Sequence, residues 1–247
     1  MCTSDNERSD GEALLEVKRL QIGHGKTALL PPFDLEVRRG EFWAVIGRNG
    51  VGKTTWLRTL LGLLRPQSGS IRKRPGAKLA YLPQRGVADD LYPVTGRDIV
   101  TMGCLRDRSF FRITAEHRRS VERALDLMGA RDLADRSFRE LSEGQRQRIL
   151  LARIAASRAD VAVMDEPTSA LDLVAERQAF ELLQRLRAEA QTAIIIVSHY
   201  VRLVAEFADR AVLLDRDTPG VVVGTPASVL RHPSFCATYG EAMAPVP

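Results

Sequence analysis

Hydrophobic positions along this chain alternate between two periods. Residues 42–46 form an unbroken apolar run closed by Gly47, the pattern of a strand buried on both faces. Residues 161–164, 193–197 and 211–214 read the same way, and 77–82 and 221–223 are further strand candidates. Between these runs the apolar residues recur at helical spacing. Trp56, Leu60, Leu63 and Leu64 predict a helix over 54–64. Ala175, Ala179, Leu182 and Leu186 predict one over 173–189, and 201–208 reads as another. Thr225-Pro226 is a helix start with proline at its first position.

Two stretches depart from this alternation. Residues 12–37 carry short strand patterns in a hairpin, interrupted at Gly23, Gly25 and Pro31-Pro32. From 93 to 157 the pattern changes to helices. Thr114 caps a helix with Val121, Leu125 and Met128 on one stripe, and Gly129 ends it. Residues 66–69 and 215–220 read as turns. Strands alternating with helices predict an α/β fold with a mostly parallel sheet, an antiparallel β subdomain and an inserted α-helical subdomain over about 90–157.

A length of 247 residues suits one large domain, and 45% apolar with 27% charged residues is ordinary for a globular chain. The net charge of +5 is scattered, with no run of five or more like charges, so no nucleic-acid partner is expected. Cys2, Cys104 and Cys236 lie far apart, which excludes a zinc-type cysteine pattern and suits a reducing compartment. The start is polar and acidic, with no apolar core of a signal peptide, and residues 1–12 read as a disordered tail. No apolar run approaches the roughly 20 residues that cross a bilayer, so work at a membrane would need a separate anchor.

Three motifs carry chemistry. Gly47-Arg48-Asn49-Gly50-Val51-Gly52-Lys53-Thr54, with Thr55 behind it, fits a phosphate loop. Its glycines let successive N–H groups turn toward phosphate oxygens, and the helix after the loop favours anions at its N-terminus. Lys53 neutralises the β- and γ-phosphates, and the Thr54 hydroxyl is a hard ligand suited to Mg²⁺. A plain strand-to-helix turn is the bland alternative, which the strand before and the helix after make remote. Asp165-Glu166 closes the 161–164 strand, at the carboxyl edge where ligands bind. There Asp165 can reach the metal shell and Glu166 can orient the attacking water. Without the phosphate loop this pair would read as a solvated turn. Ser142-Glu143-Gly144-Gln145 opens a helix, and Ser142 with Gln145 also has capping-box spacing.

Taken in order, these motifs make the chain resemble the nucleotide-binding subunits of ABC transporters, from about residue 14 to 240. The resemblance implies a P-loop NTPase (RecA-like) core, with an ATPase domain over 13–240 and a short C-terminal tail over 241–247. It also assigns roles residue by residue. Gln84 resembles the glutamine that touches Mg²⁺ and senses the membrane partner. Ser142, Gly144 and Gln145 match the signature that closes over ATP on the opposite subunit. Ser169-Ala170-Leu171-Asp172 matches the loop crossing the dimer interface, and His199 matches the switch histidine. His24 takes the place of the adenine-stacking aromatic. Glu143 replaces the family's usual first glycine while Gly144 is kept. Tyr200 stands where many members carry an acid, and nothing in the sequence explains it.

The implied activity is ATP hydrolysis with Lys53, Glu166 and His199 catalytic, and ATP and Mg²⁺ as cofactors. The implied partners are a second copy, a membrane permease on a separate chain and a solute-binding protein, with the subunit on the cytoplasmic face of the membrane. The stretches at 81–85, 96–103 and 235–240 resemble zinc and manganese importers, and also importers of iron–siderophore, haem and cobalamin; the metal-ion group is favoured. The alternative is a soluble ABC ATPase that scaffolds iron–sulfur cluster assembly. A GTPase fits poorly, because the guanine-reading Asn-Lys-x-Asp stretch is absent.

Overall fold

The computed structural model describes residues 12–24, 27–84, 93–105, 113–168, 172–216 and 220–240. The two expected tails, 1–12 and 241–247, fall almost wholly outside these residues.

A six-stranded sheet forms the central layer. Its strands are β5 (Phe42–Gly47), β7 (Leu79–Leu82), β8 (Val161–Met164), β9 (Ala193–Val197), β10 (Arg210–Leu214) and β11 (Val221–Gly224), in the spatial order β11-β10-β5-β9-β8-β7. All neighbours run parallel except the β10–β11 edge pair. Alternation along each strand divides the core in two. Phe42, Ala44 and Ile46 face one side with Met164 and Ile196, and Trp43 and Val45 face the other with Val163 and Ile195.

The Trp43 side is covered by α1 (Lys53–Leu60) and by an antiparallel sheet of β1 (Ala13–Gln21), β4 (Phe33–Arg38) and β6 (Ser68–Lys73), ordered β4-β1-β6. A two-residue ladder, β2 (Gly23–His24) with β3 (Thr27–Ala28), stands apart from it. The Phe42 side is covered by α5 (Leu173–Ala190), α6 (Val201–Phe207), α7 (Pro226–Leu230) and α8 (Pro233–Tyr239). Between β7 and β8 the chain adds α2 (Gly96–Cys104), α3 (Ala115–Leu127) and α4 (Glu143–Ala156). Thr95, Thr114 and Ser142 each close a capping box at the start of one of these helices.

Three sequence expectations shift. The first helix ends at Leu60, short of Leu64. Gly62 takes φ +75°, and the Leu63 and Gly62 N–H groups return to the carbonyls of Arg58 and Thr59, a Schellman stop. Leu63 is therefore 64% exposed and lies outside the buried stripe. The turn at 66–69 instead runs into strand β6. Its polar, exposed sequence gives no apolar alternation, and Gly69 fits because a Cβ there would lie 2.2 Å from the Arg19 carbonyl oxygen. Helix α8 has no counterpart among the helices that periodicity predicts.

Candidate nucleotide site

Parallel pairing brings four strand ends to one edge. Leu82 is level with Met164, Met164 with Ile196, and Val45 with Val197. The residues after each strand therefore meet there, where an open α/β sheet binds its ligands.

The phosphate loop joins β5 to α1. Gly50 and Gly52 take φ +79° and +116°, in the left-handed region that side chains avoid. Gly47 is held differently: a Cβ would lie 2.8 Å from the Leu214 carbonyl oxygen and 2.9 Å from Val51. No side chain caps α1, and its first turn carries no acid, so its N–H groups are left for an anion. Arg48, Asn49 and Gly50 are exposed, and Val51 and Thr55 are buried. Lys53 is only 6% exposed, and its ammonium donates to the Gly47 and Arg48 carbonyls at 2.9 and 3.3 Å.

Glu166 gathers the rest. Its Oε1 is 3.2 Å from Lys53 Nζ and 2.8 Å from His199 Nε2, and its Oε2 accepts from Gln84 Nε2 at 2.7 Å. Its backbone lies at φ +47°, a conformation that costs a non-glycine residue about 1–3 kcal/mol and persists where surroundings enforce it. A cavity of about 350 Å³ opens over these groups, lined by Asn49, Gly50, Gly52, Lys53, Thr54, Thr55, Gln84 and Glu166.

Asp165 is buried, and neither carboxylate oxygen receives a well-formed hydrogen bond. Burial drives its carboxyl up, while the nearby Thr54 hydroxyl pulls it down, the Glu166 charge adds to the rise, and Lys53 and Arg58 oppose it. Thr54, Gln84 and Asp165 line one adjoining cavity. Two buried, unsatisfied carboxylate oxygens beside a hydroxyl and an amide suit a hard divalent cation such as Mg²⁺.

Other predicted residues lie elsewhere. Ser142, Gly144 and Gln145 line a different cavity, between α4 and α5. Ser142 and Gln145 bond each other's backbone N–H there, at 3.4 and 3.1 Å. The chain thus does not bring its signature motif to its own phosphate loop. Asp172 caps α5 through the Ala175 N–H at 2.8 Å, and Ser169, Ala170 and Leu171 lie outside the described residues. The backbone of His24 pairs with Thr27, and its side chain is outside what the structure describes.

Sequence reasoning missed three contributors. Leu29 and Arg216 line the nucleotide cavity. Leu214 is level with Gly47 in the parallel ladder, which places the residues after it beside the phosphate loop. Tyr239 of α8 packs behind Gly47 near Arg48 and Asp215, and burial pushes its hydroxyl up to about 12. No periodic signal marks Leu29 or Tyr239.

Similarity to known proteins agrees with this geometry. A family model described as ABC transporter matches residues 30–169. The zinc import ATP-binding protein ZnuC of Cereibacter sphaeroides is 33% identical over 228 residues, covering 92% of this chain and 89% of that protein. Its namesake from Chromohalobacter salexigens is 33% identical over 228 residues, covering 92% and 90%. Among solved structures, a metal-chelate type ABC transporter in an inward-facing conformation superposes with TM-score 0.83 at 29% identity, covering 92% of this chain and 89% of that one.

Proposed function

The chain belongs to the ABC transporter family as its ATP-binding, ATP-hydrolysing subunit, and from that premise we propose that it drives import of a metal ion or metal chelate, zinc first among them, through a separate membrane permease. The observation that carries the chemical part is the single Glu166 carboxylate held by Lys53, Gln84 and His199 over the phosphate loop. The cargo rests on similarity to zinc import proteins, since the metal-binding surface for a cargo belongs to other chains.

We read residues 13–240 as the ATPase unit, with the helical part over about 90–157 inserted. The loop from Gly47 to Thr55 binds the phosphates through backbone N–H groups and Lys53. His24 stacks on the base. Glu166 orients a water toward the γ-phosphorus and takes up its proton as the bond to the β–γ bridging oxygen breaks, leaving ADP and phosphate. His199 holds that carboxylate in place. Thr54, Gln84 and Asp165 hold Mg²⁺, which when bound neutralises phosphate charge. Ser142, Gly144 and Gln145 serve the ATP of a second copy, a reading supported by the separate cavities that the two motifs line within one chain. Two copies then sandwich two ATP molecules beneath the permease, on the cytoplasmic face, and a solute-binding protein delivers cargo from the other side.

The test is twofold. Tagged Glu166→Gln, purified from solubilised membranes with Mg-ATP, is expected to bring a polytopic membrane protein with it. Cells lacking the chain are expected to take up radioactive zinc slowly, with rescue by wild type but not by Glu166→Gln. Soluble partners alone would return the scaffold alternative, and unchanged zinc uptake would remove zinc as the cargo.

A further inference from the structure

Glu176, in the first turn of α5, is fully buried. A buried carboxyl is costly unless its oxygens are satisfied, so its partners are informative. Oε1 accepts the Thr168 hydroxyl at 2.7 Å, and Thr168 lies on the loop that opens with Asp165 and Glu166. Oε2 receives no well-formed hydrogen bond, and the side chains of Ser198 and Tyr200, which flank His199, stand close to the same carboxyl. Ser198 is itself buried, and its Oγ accepts the Tyr200 N–H at 3.1 Å. One carboxyl is therefore bonded to the first of the two loops and packed close to the second, and the tips of these loops meet at the His199–Glu166 contact of 2.8 Å.

We propose that Glu176 is a positioning residue for ATP hydrolysis, a buried tie that holds the Glu166 loop in register with the His199 loop. It does not line the nucleotide cavity, so it acts through Glu166 and His199, and the inference rests on the roles proposed for those two residues.

Burial pushes the Glu176 carboxyl up to about 7, against the pull of the Thr168, Ser198 and Tyr200 hydroxyls. These three groups face it from the packed loops; Tyr200 is the titratable one, and among the described residues no ion pair reaches the carboxyl. The ionised form can accept from all three hydroxyls, whereas the protonated form must give a hydrogen to one of them. The tie is tightest when Glu176 is ionised.

The experiment compares full-length wild type, Glu176→Ala, Glu176→Gln and a Glu166→Gln control for kcat, KM and ATP affinity between about pH 6 and 8. Glu176→Ala is expected to lower kcat about tenfold or more with KM within about twofold, because misplacing a catalytic group costs turnover. Glu176→Gln keeps an acceptor for Thr168 and is expected to recover most of that loss. The ratio of wild-type to Glu176→Gln kcat cancels groups common to both, and is expected to rise about threefold across this range as Glu176 ionises. Wild-type kcat in Glu176→Ala overturns the proposal, and so does an equal loss of turnover and ATP affinity in both variants. If Glu176→Ala does not fold, the ratio decides alone, and a flat ratio overturns the tie. A Glu166→Gln control with full turnover removes the site reading and this inference together. A dead control beside silent Glu176 variants removes only the tie.

Discussion

The Nε2 atom of His199 stands 2.8 Å from Oε1 of Glu166, and the same oxygen lies 3.2 Å from the Lys53 ammonium. These residues come from three segments far apart in the chain, each following a strand of the central sheet. They meet because β5, β9 and β8 are sheet neighbours with level ends. The convergence also explains how Glu166 keeps its left-handed backbone: its side chain has three partners, Lys53, Gln84 and His199, to hold it there.

Replacing His199 with alanine should therefore separate turnover from binding. The imidazole bonds the Glu166 carboxylate and does not line the nucleotide cavity. The expected result is a fall in kcat of about 100-fold, the usual scale for losing one such group, with ATP affinity within about threefold. Steady-state kinetics beside equilibrium nucleotide binding checks this. A matching loss of affinity would place His199 on the nucleotide.

Gly47→Ala should fail for a steric reason that has nothing to do with backbone freedom. Its Cβ would press on the Leu214 carbonyl oxygen at 2.8 Å and on Val51 at 2.9 Å. A rigid β10 carbonyl cannot yield as a side-chain tip can. Overpacking of this kind costs about 1–3 kcal/mol. Urea unfolding should show that loss, and ATP binding should weaken because the loop that moves is the one proposed to cradle phosphate.

Much of this site is legible in the sequence, and the limits are physical. The runs at 42–46, 161–164 and 193–197 are buried on both faces, so apolar character alone marks them as strands, and the acids and histidine just beyond them fall at the sheet's edge. Strand β6 gives no such signal, because Ser68–Lys73 is polar and exposed and is held by pairing with β1. Helix α1 stops early because Gly62 can adopt a left-handed turn, a choice that periodicity does not register. Glu176 reads as an ordinary polar residue near a helix start; only the packing of two distant loops against it reveals its burial. Arg216 and Leu29 enter the cavity through tertiary placement, which spacing cannot encode.

Asp165 should be the residue through which Mg²⁺ concentration is felt. Its two unsatisfied oxygens, with Thr54 and Gln84 beside them, form the oxygen-rich side of the site. Asp165→Ala is expected to raise the Mg²⁺ concentration needed for half-maximal hydrolysis about tenfold or more, since truncating one partner of a charge-assisted contact costs about 1.5–3 kcal/mol. Chelation with EDTA should abolish turnover in the wild type. An unchanged Mg²⁺ requirement in the variant would move the metal away from Asp165.

Burying Glu176 should also leave a mark on stability, with a definite sign. Its folded-state value is raised from 4.5 to about 7. Between those values the native state holds a proton that the unfolded chain has released, so stability falls as pH rises through this window. The stability is fully present below about 4.5 and lost above about 7, and a shift of this size corresponds to about 3 kcal/mol as an upper bound. Glu176→Gln cannot ionise, so it escapes this loss. The variant should unfold at nearly the same urea concentration as wild type at about pH 5 and at a clearly higher one at about pH 8, the difference growing smoothly between. The same substitution that steadies the fold at alkaline pH is expected to weaken the ionised tie behind Glu166 and His199. A gain in stability accompanied by a relative loss of turnover would show a buried charge kept for its effect on the site, at a cost to the fold.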